Sequence, residues 1–318
     1  MDNVDLRKAA IIGCGYVGAA SAFALMQSGM LSELVLLDVN RQKAEGEALD
    51  ISHGLPFARP MDIHTGGYDE MTDAAVVIIT AGANQKPGET RIDLARKNVD
   101  VFKSIMAEIR SRRFRGILLV VANPVDLLTQ IALRYSGLPE GRVMGSGTVL
   151  DTARLKYLLG EHLRVDSRSV HAFMIGEHGD SEIAVWSSAS VSGVPIHDFC
   201  KMRGYANHQE AMQRIAWGVK NSAYEIIEKK QATYYGVAMS VRRICEAIIR
   251  DEKSILPVSG MLHGQFGVDG VALSMPAIVG KDGIEGRVPI QLNAAEAQAF
   301  RQSAEKLRGI AAEYDRGE

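Results

Sequence analysis

Hydrophobic residues in the first half of the chain fall into short runs that are separated by longer patterns of helical period. Four of these runs have the length and apolar content of buried strands, namely Ala9–Ile12, Leu34–Leu37, Ala74–Thr80 and Ile117–Ala122. The segments between them predict helices over Ala19–Gln27, Arg41–Ile51 and Thr90–Arg110, and Val143–Gly145 is predicted as a last short strand. Strands that alternate with helices form a doubly wound parallel sheet, so the pattern predicts an α/β, Rossmann-type first domain.

The second half of the chain has a different pattern, with long helices and pairs of strands. Helices are predicted over Thr148–Leu163, Asn207–Lys229, Tyr234–Arg250 and Ala294–Tyr314, and strands over Ser169–Ile175, Ala184–Val191, Ser254–Leu262 and Val271–Val279. Met239, Ile244 and Ile248 recur at helical spacing and are predicted to face a core. The pattern predicts a second, α+β domain packed against the carboxyl edge of the first sheet, with the domains at residues 1–146 and 147–318.

The first strand run ends in Gly13-Cys14-Gly15-Tyr16-Val17-Gly18, and the second ends in Asp38. Gly13 permits a tight turn, Gly15 allows the backbone to approach a pyrophosphate, and Gly18 allows helix and strand to pack closely. The free N–H groups at the start of the next helix face the phosphates, and Asp38 can accept hydrogen bonds from a ribose diol. A GxGxxG sequence alone also fits a purely structural turn, but the flanking strands and the terminal acid favour NAD binding.

Small and polar residues also follow the third and fourth strand runs, at the ends where an open parallel sheet binds its ligands. Asn123 offers an amide donor and an acceptor, and Pro124 fits the first turn of a helix. Residues 83–91 are polar, contain Pro and Gly and have no period, which predicts a loop able to close over the site. The residues predicted to contact NAD are Gly13, Gly15, Tyr16, Val17, Gly18, Asp38, Ala81, Gly82, Ala122 and Asn123.

Composition and charge argue against several other classes of protein. The chain has 318 residues, of which 47% are hydrophobic and 23% charged, and its net charge of −2 comes without a basic tract that would predict nucleic-acid binding. The uncharged stretch Ala9–Ser32 is long enough to span a bilayer or to form a signal peptide after Arg7 and Lys8, but its glycines and polar residues argue against both. The three scattered cysteines form no metal-ligand spacing and no disulfide framework, so we expect no metal, no membrane association and a cytoplasmic location.

Two features of the second half are candidates for chemistry. His178 lies between two glycines in a loop that follows a predicted strand, where it is better suited to meeting a ligand than to packing. A single loop histidine is nevertheless most often inert. Asp151 and Arg154 lie three residues apart on one face of a predicted helix, and on the sequence alone such a pair is most often a surface ion pair.

Four motifs change this interpretation: AGANQKPGETR at residues 81–91, NPVD at 123–126, LDTAR at 150–154 and GEHGDSE at 176–182. Together with the glycine turn they resemble the lactate/malate dehydrogenase family, and within it the bacterial L-lactate dehydrogenases. The resemblance extends over nearly the whole chain, from Gly13 to Thr233. It implies an NAD-dependent oxidoreductase of fermentation or glycolysis that reversibly interconverts pyruvate and (S)-lactate.

The resemblance also implies roles for particular residues. His178 takes the position of the family's acid/base, Asp151 that of its partner, and Arg154 that of the arginine that binds the substrate carboxylate. Arg91 matches the loop arginine that polarises the substrate carbonyl, Asn123 the asparagine that orients carbonyl and histidine, and Thr233 a pocket residue. Gln85 occupies the position that selects the substrate, where malate-specific relatives carry an arginine.

Two other functions stay open at this point. One is a malate dehydrogenase or another L-2-hydroxy-acid dehydrogenase, against which the uncharged Gln85 argues. The other is a non-catalytic dinucleotide-binding protein that keeps the fold for structural or regulatory use, against which the complete set of His178, Asp151, Arg154 and Arg91 argues.

The resemblance extends to assembly and regulation. The family suggests a homotetramer, and bacterial relatives bind fructose 1,6-bisphosphate between subunits with an arginine and a histidine. His171 stands at the histidine position, whereas the arginine position holds Lys156. Lysine keeps the charge but loses the two-pronged hydrogen bonding of arginine, so an effector site there is weakened or absent. An equally good interpretation makes Lys156 a solvated helix residue.

Overall fold

The computed structural model describes residues 4–83, 91–205 and 207–315. Its strands are β1 (Asp5–Ile12), β2 (Glu33–Leu37), β3 (Asp62–Thr65), β4 (Ala74–Ile79), β5 (Ile117–Val120), β6 (Val143–Gly145), β7 (Val170–His171), β8 (Met174–Ile175), β9 (Ile183–Ala184), β10 (Ser190–Val191), β11 (Val194–Pro195), β12 (Ser254–Leu256), β13 (Ser259–His263), β14 (Asp269–Ser274), β15 (Ala277–Gly280) and β16 (Gly283–Arg287). Its α-helices are α1 (Tyr16–Ser28), α2 (Arg41–Ser52), α3 (Arg91–Ser111), α4 (Val125–Ser136), α5 (Val149–Leu163), α6 (Ile196–Met202), α7 (His208–Lys230), α8 (Tyr235–Ile249) and α9 (Ala294–Asp315).

The first six strands form a parallel sheet in the spatial order β6-β5-β4-β1-β2-β3. Every residue of β4 and β5 is buried, because helices cover both faces of the sheet. One face packs against α3, α4 and α9, and the other against α1, α2 and α8. The predicted α/β fold with helices on both faces of a parallel sheet is therefore confirmed.

The sequence pattern predicted that the sheet ends at β6, but the sheet continues past this strand. Ser259 of β13 pairs with Gly145 of β6, and β14 pairs with β13, so two antiparallel strands from the second half extend the sheet to eight strands. The edge of β6 would otherwise present unpaired backbone groups, and β13 covers it. The sheet thus crosses the predicted boundary between residues 146 and 147, and that boundary stays a prediction.

Other errors of prediction fall in the second half and around Pro124, and neither β3 nor α6 was predicted. The two strands predicted over Ser169–Ile175 and Ala184–Val191 are each broken into two short ones. Between β9 and β10 the backbone leaves the sheet, because the amides of Trp186 and Ser187 donate to the Glu296 carboxylate instead of to a strand. Pro124 precedes the first turn of α4 instead of lying in it, with an extended ψ of 113°.

The prediction that Met239 faces the core was wrong. Met239 is 54% exposed, whereas Ile244 and Ile248 on the same helix are buried. Helical spacing alone does not define the centre of the apolar face, which depends on the neighbours that α8 meets, here α1 and β15.

The second half has a core of its own, in which α5 packs against α7 and the short strands β7 and β8. Leu155, Leu159 and Leu163 form the buried face of α5 and direct its first turn, with Asp151, towards the segment that follows β8. Among the residues that the structure describes, no helix has both the length and the hydrophobicity needed to cross a membrane.

Candidate active site

The glycine turn between β1 and α1 is shaped by close contacts between backbone atoms. Gly13 has a φ of +102°, and a Cβ there would lie 2.5 Å from the backbone nitrogen of Ala81. A Cβ on Gly18 would lie 1.9 Å from the carbonyl oxygen of Gly13. A Cβ on Gly15, by contrast, would meet nothing within 4 Å. The turn is therefore closed at Gly13 and Gly18 and open at Gly15, where the sequence predicts that a pyrophosphate approaches.

This opening belongs to a cavity of about 920 Å³ at the carboxyl ends of the parallel strands. Eight of the predicted cofactor-contacting residues line it, namely Gly13, Gly15, Tyr16, Val17, Gly18, Asp38, Ala81 and Gly82. Thr233, the predicted pocket residue, lines it as well. Within the described part of the chain, Ala122 and Asn123 do not line this cavity. Its size is that of a typical cofactor site.

Asp38 is oriented towards the turn by two backbone amides. Its carboxylate accepts hydrogen bonds from the Cys14 N–H at 2.6 Å and the Asn40 N–H at 2.8 Å. Each carboxylate oxygen has a further acceptor position, so these contacts fix the side chain and leave it able to bind a diol. The thiol of Cys14 is buried beside it, and burial together with the Asp38 charge raises the pKa of Cys14 to about 12. The thiol therefore stays neutral, and the turn carries no negative charge of its own next to a phosphate.

The candidate catalytic groups come together where the first turn of α5 meets the segment after β8. His178 Nδ1 lies 2.6 Å from Asp151 Oδ2, and Arg154 donates to Asp151 Oδ1 at 2.8 Å. The side chain of Asp151 is 2% exposed, that of Arg154 14%, and that of His178 26%. A surface ion pair, which the helix spacing alone favoured for Asp151 and Arg154, is therefore wrong. The pair is buried, and only the imidazole keeps substantial access from outside.

The electrostatic surroundings favour a protonated His178. Burial works against the imidazolium, but the Asp151 carboxylate outweighs it, and the pKa of His178 is raised to about 9. Burial likewise works against the charge of Asp151, but His178 and Arg154 outweigh it and lower the pKa of that carboxyl. At neutral pH the pair is thus an imidazolium held by a carboxylate, which is the form that can deliver a proton.

Asp126 also positions His178, although the sequence did not identify it. It lies in the first turn of α4 and is 2% exposed. Its carboxyl accepts hydrogen bonds from the His178 backbone N–H at 2.7 Å and from the Ser259 hydroxyl at 2.5 Å. Burial raises the pKa of Asp126 to about 6. The only signal in the sequence was its place at the end of NPVD, and no local pattern links it to a histidine in another segment.

Asn98 links the ends of two neighbouring strands. Its side-chain oxygen accepts from the Ala83 N–H at 2.7 Å, and its amide donates to the Asn123 carbonyl at 2.8 Å. Asn98 is buried on α3, whereas the Asn123 residue is exposed. The backbone that enters the predicted closing loop and the backbone that presents Asn123 are therefore held together by one side chain.

The other predicted residues are distributed as follows. Gln85 lies outside the described residues, and Arg91 begins α3 with its side chain outside the description. Thr233 is half-buried between α7 and α8. Lys156 is half-buried on α5, where burial lowers its pKa, and His171 is exposed on β7.

The chain is similar to known proteins over nearly its whole length. The sequence model of the lactate/malate dehydrogenase NAD binding domain matches residues 7–145, and that of the family's alpha/beta C-terminal domain matches residues 148–315. The chain is 51% identical to an L-lactate dehydrogenase of Acetivibrio thermocellus over 97% of this chain and 98% of that protein. It is 50% identical to an L-lactate dehydrogenase of a Thermoanaerobacter species over 98% of this chain and 100% of that protein.

Solved structures give the same result. A lactate dehydrogenase from a deep-sea metagenome library of the Medee basin superposes with a TM-score of 0.94 at 45% identity, covering 98% of both chains. The ligand-bound minor L-lactate dehydrogenase of Enterococcus mundtii superposes with a TM-score of 0.93 at 42% identity, covering 96% of this chain and 98% of that one.

Proposed function

Because the chain belongs to the lactate/malate dehydrogenase family, we propose that it is an NAD-dependent L-lactate dehydrogenase that interconverts pyruvate and (S)-lactate. The observation that carries the proposal is the buried Asp151–His178 pair, with its 2.6 Å contact, in a chain whose glycine turn opens into a cofactor-sized cavity. Relatives that match this chain over nearly its full length bear the name L-lactate dehydrogenase.

Reduction of a 2-oxo acid adds a hydride to the carbonyl carbon and a proton to its oxygen. A bound nicotinamide cofactor supplies the hydride. His178, as an imidazolium, donates the proton from its second ring nitrogen while Nδ1 stays hydrogen-bonded to Asp151. In the reverse direction the neutral imidazole accepts the proton of the lactate hydroxyl.

Arg154 and Arg91 supply the positive charges that a 2-oxo acid requires. Arg154 uses one N–H on Asp151 and retains other donors of its planar fork for the substrate carboxylate. Arg91 follows residues 84–90, for which the sequence predicts a loop, and closure of such a loop would bring the Arg91 charge to the carbonyl oxygen and exclude water. Asn123 orients the carbonyl, and Thr233 lines the pocket.

The direct test is to add pyruvate to the purified protein with NADH and follow the loss of NADH absorbance. We expect pyruvate-dependent oxidation, and a lactate-dependent gain of absorbance with NAD. A protein that binds NADH but oxidises none with pyruvate or oxaloacetate would instead be a non-catalytic dinucleotide-binding protein.

Gln85 is proposed to select pyruvate over oxaloacetate. Its uncharged side chain tolerates the methyl group of pyruvate, whereas oxaloacetate would bring a second carboxylate into a closing site without a cationic partner. Desolvation of an unpaired carboxylate costs several kcal/mol, so we expect pyruvate to be favoured by about two or more powers of ten in kcat/KM. Gln85→Arg should reverse the order, because a guanidinium pairs with the added carboxylate. If the variant keeps the parent's preference, Gln85 does not contact the substrate and malate dehydrogenase becomes an open alternative.

Asp38 is proposed to select NAD over NADP, because a 2′-phosphate would meet a carboxylate of like charge. We expect a clearly higher kcat/KM with NADH than with NADPH at saturating pyruvate. Equal values for the two cofactors would contradict this role.

The assembly and regulation implied by the family are further proposals. A homotetramer in the cytoplasm is the expected form. Activation by fructose 1,6-bisphosphate through Lys156 and His171 is also proposed, although Lys156 lacks the fork of an arginine. Added effector should then lower the KM for pyruvate, and an unchanged KM together with an unchanged assembly state would dispose of the idea.

A further inference from the structure

A third ionisable side chain, Glu182, is buried beside the candidate catalytic pair. Glu182 directly precedes β9 and is 3% exposed. Its carboxyl oxygen, an oxygen of Asp151 and a ring nitrogen of His178 all lie within 4.8 Å of one another. Glu182 is the last residue of GEHGDSE, and no role for it was predicted from the sequence.

Two carboxyl groups so close together in a buried site are not both ionised at neutral pH, because like charges repel strongly where water does not screen them. Asp151 already holds two cationic partners, Arg154 on Oδ1 and His178 on Oδ2. In the described part of the chain, no lysine or arginine forms an ion pair with Glu182. The single proton that the two carboxyls share therefore belongs on Glu182, which can donate it in a hydrogen bond to the Asp151 carboxylate.

We propose that Glu182 is a positioning residue of this active site, a neutral carboxylic acid that donates its O–H to Asp151 and fixes that carboxylate between Arg154 and His178. The proposal rests on the proposed function only in that His178 is taken to donate its proton to the substrate. A metal ion at the same three groups is disfavoured, because it would displace a guanidinium and an imidazole that already occupy Asp151.

The charges that face Glu182 agree with a neutral form. Burial is the main cause that raises the pKa of Glu182 to about 8, and the Asp151 charge adds to it, while His178 and Lys220 act in the opposite direction. Lys220, on α7, donates to the Asp180 carbonyl at 3.3 Å, and its effect on Glu182 is smaller than that of burial. Asp126, on α4, accepts from the His178 backbone N–H and contributes a further acidic group beside His178.

Three fixed contacts leave the Asp151 carboxylate little freedom to rotate. Rotation would move Oδ2 away from His178 Nδ1 and so would misalign the imidazole. Loss of the Glu182 proton at higher pH removes one of the three contacts, but the new negative charge also stabilises the imidazolium. The hydrogen bond that neutral Glu182 donates and the charge that ionised Glu182 carries therefore have different effects on His178. Two substitutions of Glu182 distinguish these effects.

Glu182→Gln keeps a neutral hydrogen-bond donor of the same shape, whereas Glu182→Met has similar length and no donor. A hydrogen bond to a charged group contributes roughly tenfold to a hundredfold in an equilibrium or rate. We therefore expect kcat/KM for pyruvate at pH 7 to be at least about tenfold higher for Glu182→Gln than for Glu182→Met. The affinity for NADH should be the same in both. Glu161→Gln, at an exposed position of α5, is the matched control for the substitution itself.

The pH profile provides a readout that a merely structural residue would not move. Above about pH 8 the parent protein acquires the Glu182 charge, which holds the imidazolium. In Glu182→Gln this charge is absent, so the basic limb of kcat/KM for pyruvate should shift to lower pH. The limb of Glu161→Gln should coincide with that of the parent.

Infrared spectroscopy tests the proton directly and needs no substrate. The difference spectrum of parent minus Glu182→Gln at pH 7 should contain the C=O stretch of a neutral carboxyl group. That band should disappear as the pH rises through about 8. This measurement stays valid if the protein fails to reduce pyruvate, so that failure of the proposed function and failure of the Glu182 proposal are distinguishable.

Either of two results would overturn the proposal. One is the absence of the neutral carboxyl band from the difference spectrum, which would mean that Glu182 is ionised. The other is equal activity of folded Glu182→Gln and Glu182→Met, which would mean that the donor has no positioning effect. If Glu182→Met does not fold, the infrared band and the shifted limb of Glu182→Gln decide the question.

Discussion

The glycine turn and the buried charge cluster around His178 achieve binding and chemistry in opposite ways. The turn comprises residues 13–18, and its shape depends on glycines that have no side chain. Backbone atoms can therefore approach one another at Gly13 and Gly18, and space is left at Gly15. The cluster gathers Asp126, Asp151, Arg154, His178 and Glu182 from α4, α5 and the segment around β9, and its function depends on which group holds which proton. Sterics govern the first region and electrostatics the second, so substitutions should affect them differently.

The largest effect is expected from His178→Asn, which removes the proton donor and keeps a polar side chain of similar size. Loss of general acid catalysis should lower kcat by about two to four powers of ten. Because the turn is untouched, NADH should bind with nearly unchanged affinity in a fluorescence titration. If His178→Asn retained most of its activity, a group other than His178 would be the proton donor.

A smaller effect, on binding instead of chemistry, is expected from Gly18→Ala. The added Cβ would lie 1.9 Å from the Gly13 carbonyl oxygen, and such overpacking costs about 1–3 kcal/mol. NADH affinity and thermal stability should both fall. Gly15→Ala is the matched variant, because its methyl group meets no protein atom within 4 Å.

Gly15→Ala should therefore fold as stably as the parent and lose affinity for NADH alone. Similar losses of thermal stability in the two variants would show that the turn is not governed by the contacts described above.

The smallest effect is expected from pH, which acts on the cluster and not on the turn. The pKa of His178 is raised to about 9, so the imidazolium persists at neutral pH. The kcat/KM for pyruvate reduction should fall about tenfold per pH unit above pH 9, whereas lactate oxidation, which needs the neutral imidazole, should rise through the same range. The NADH dissociation constant should not change over the pH range in which kcat/KM falls. A parallel change would mean that the glycine turn and the cluster around His178 are coupled.

The sequence predicted the turn better than the cluster, for a physical reason. The roles of Gly13, Gly18 and Asp38 follow from local geometry, since the strand, the turn and the helix are contiguous. The burial of the Asp151–Arg154 pair was not predictable from the spacing of α5, because spacing defines a helix face but not what covers it. Glu182 and Asp126 each end a motif, but no local pattern links them to their partners, which lie in other segments.

The same distinction applies to the fold. The buried runs of β4 and β5 were recognised because a strand covered on both faces is apolar throughout. The antiparallel extension by β13 and β14 was missed, because nothing in a strand's own residues names the edge that it joins. The break between β9 and β10 was missed for a similar reason, since Glu296 on the distant helix α9 binds the Trp186 and Ser187 amides that a continuous strand would have used.

The extension of the sheet past β6 has a consequence for how the molecule can be divided. A fragment cut after residue 146 would lose β13 and expose the edge of β6. The unpaired backbone groups of that edge could then pair with a strand of another chain. The fragment would also lose α8 and α9, which cover opposite faces of the parallel sheet. The parallel sheet therefore depends on strands and helices from the second half of the chain, and we expect a single unfolding transition when the intact protein is heated.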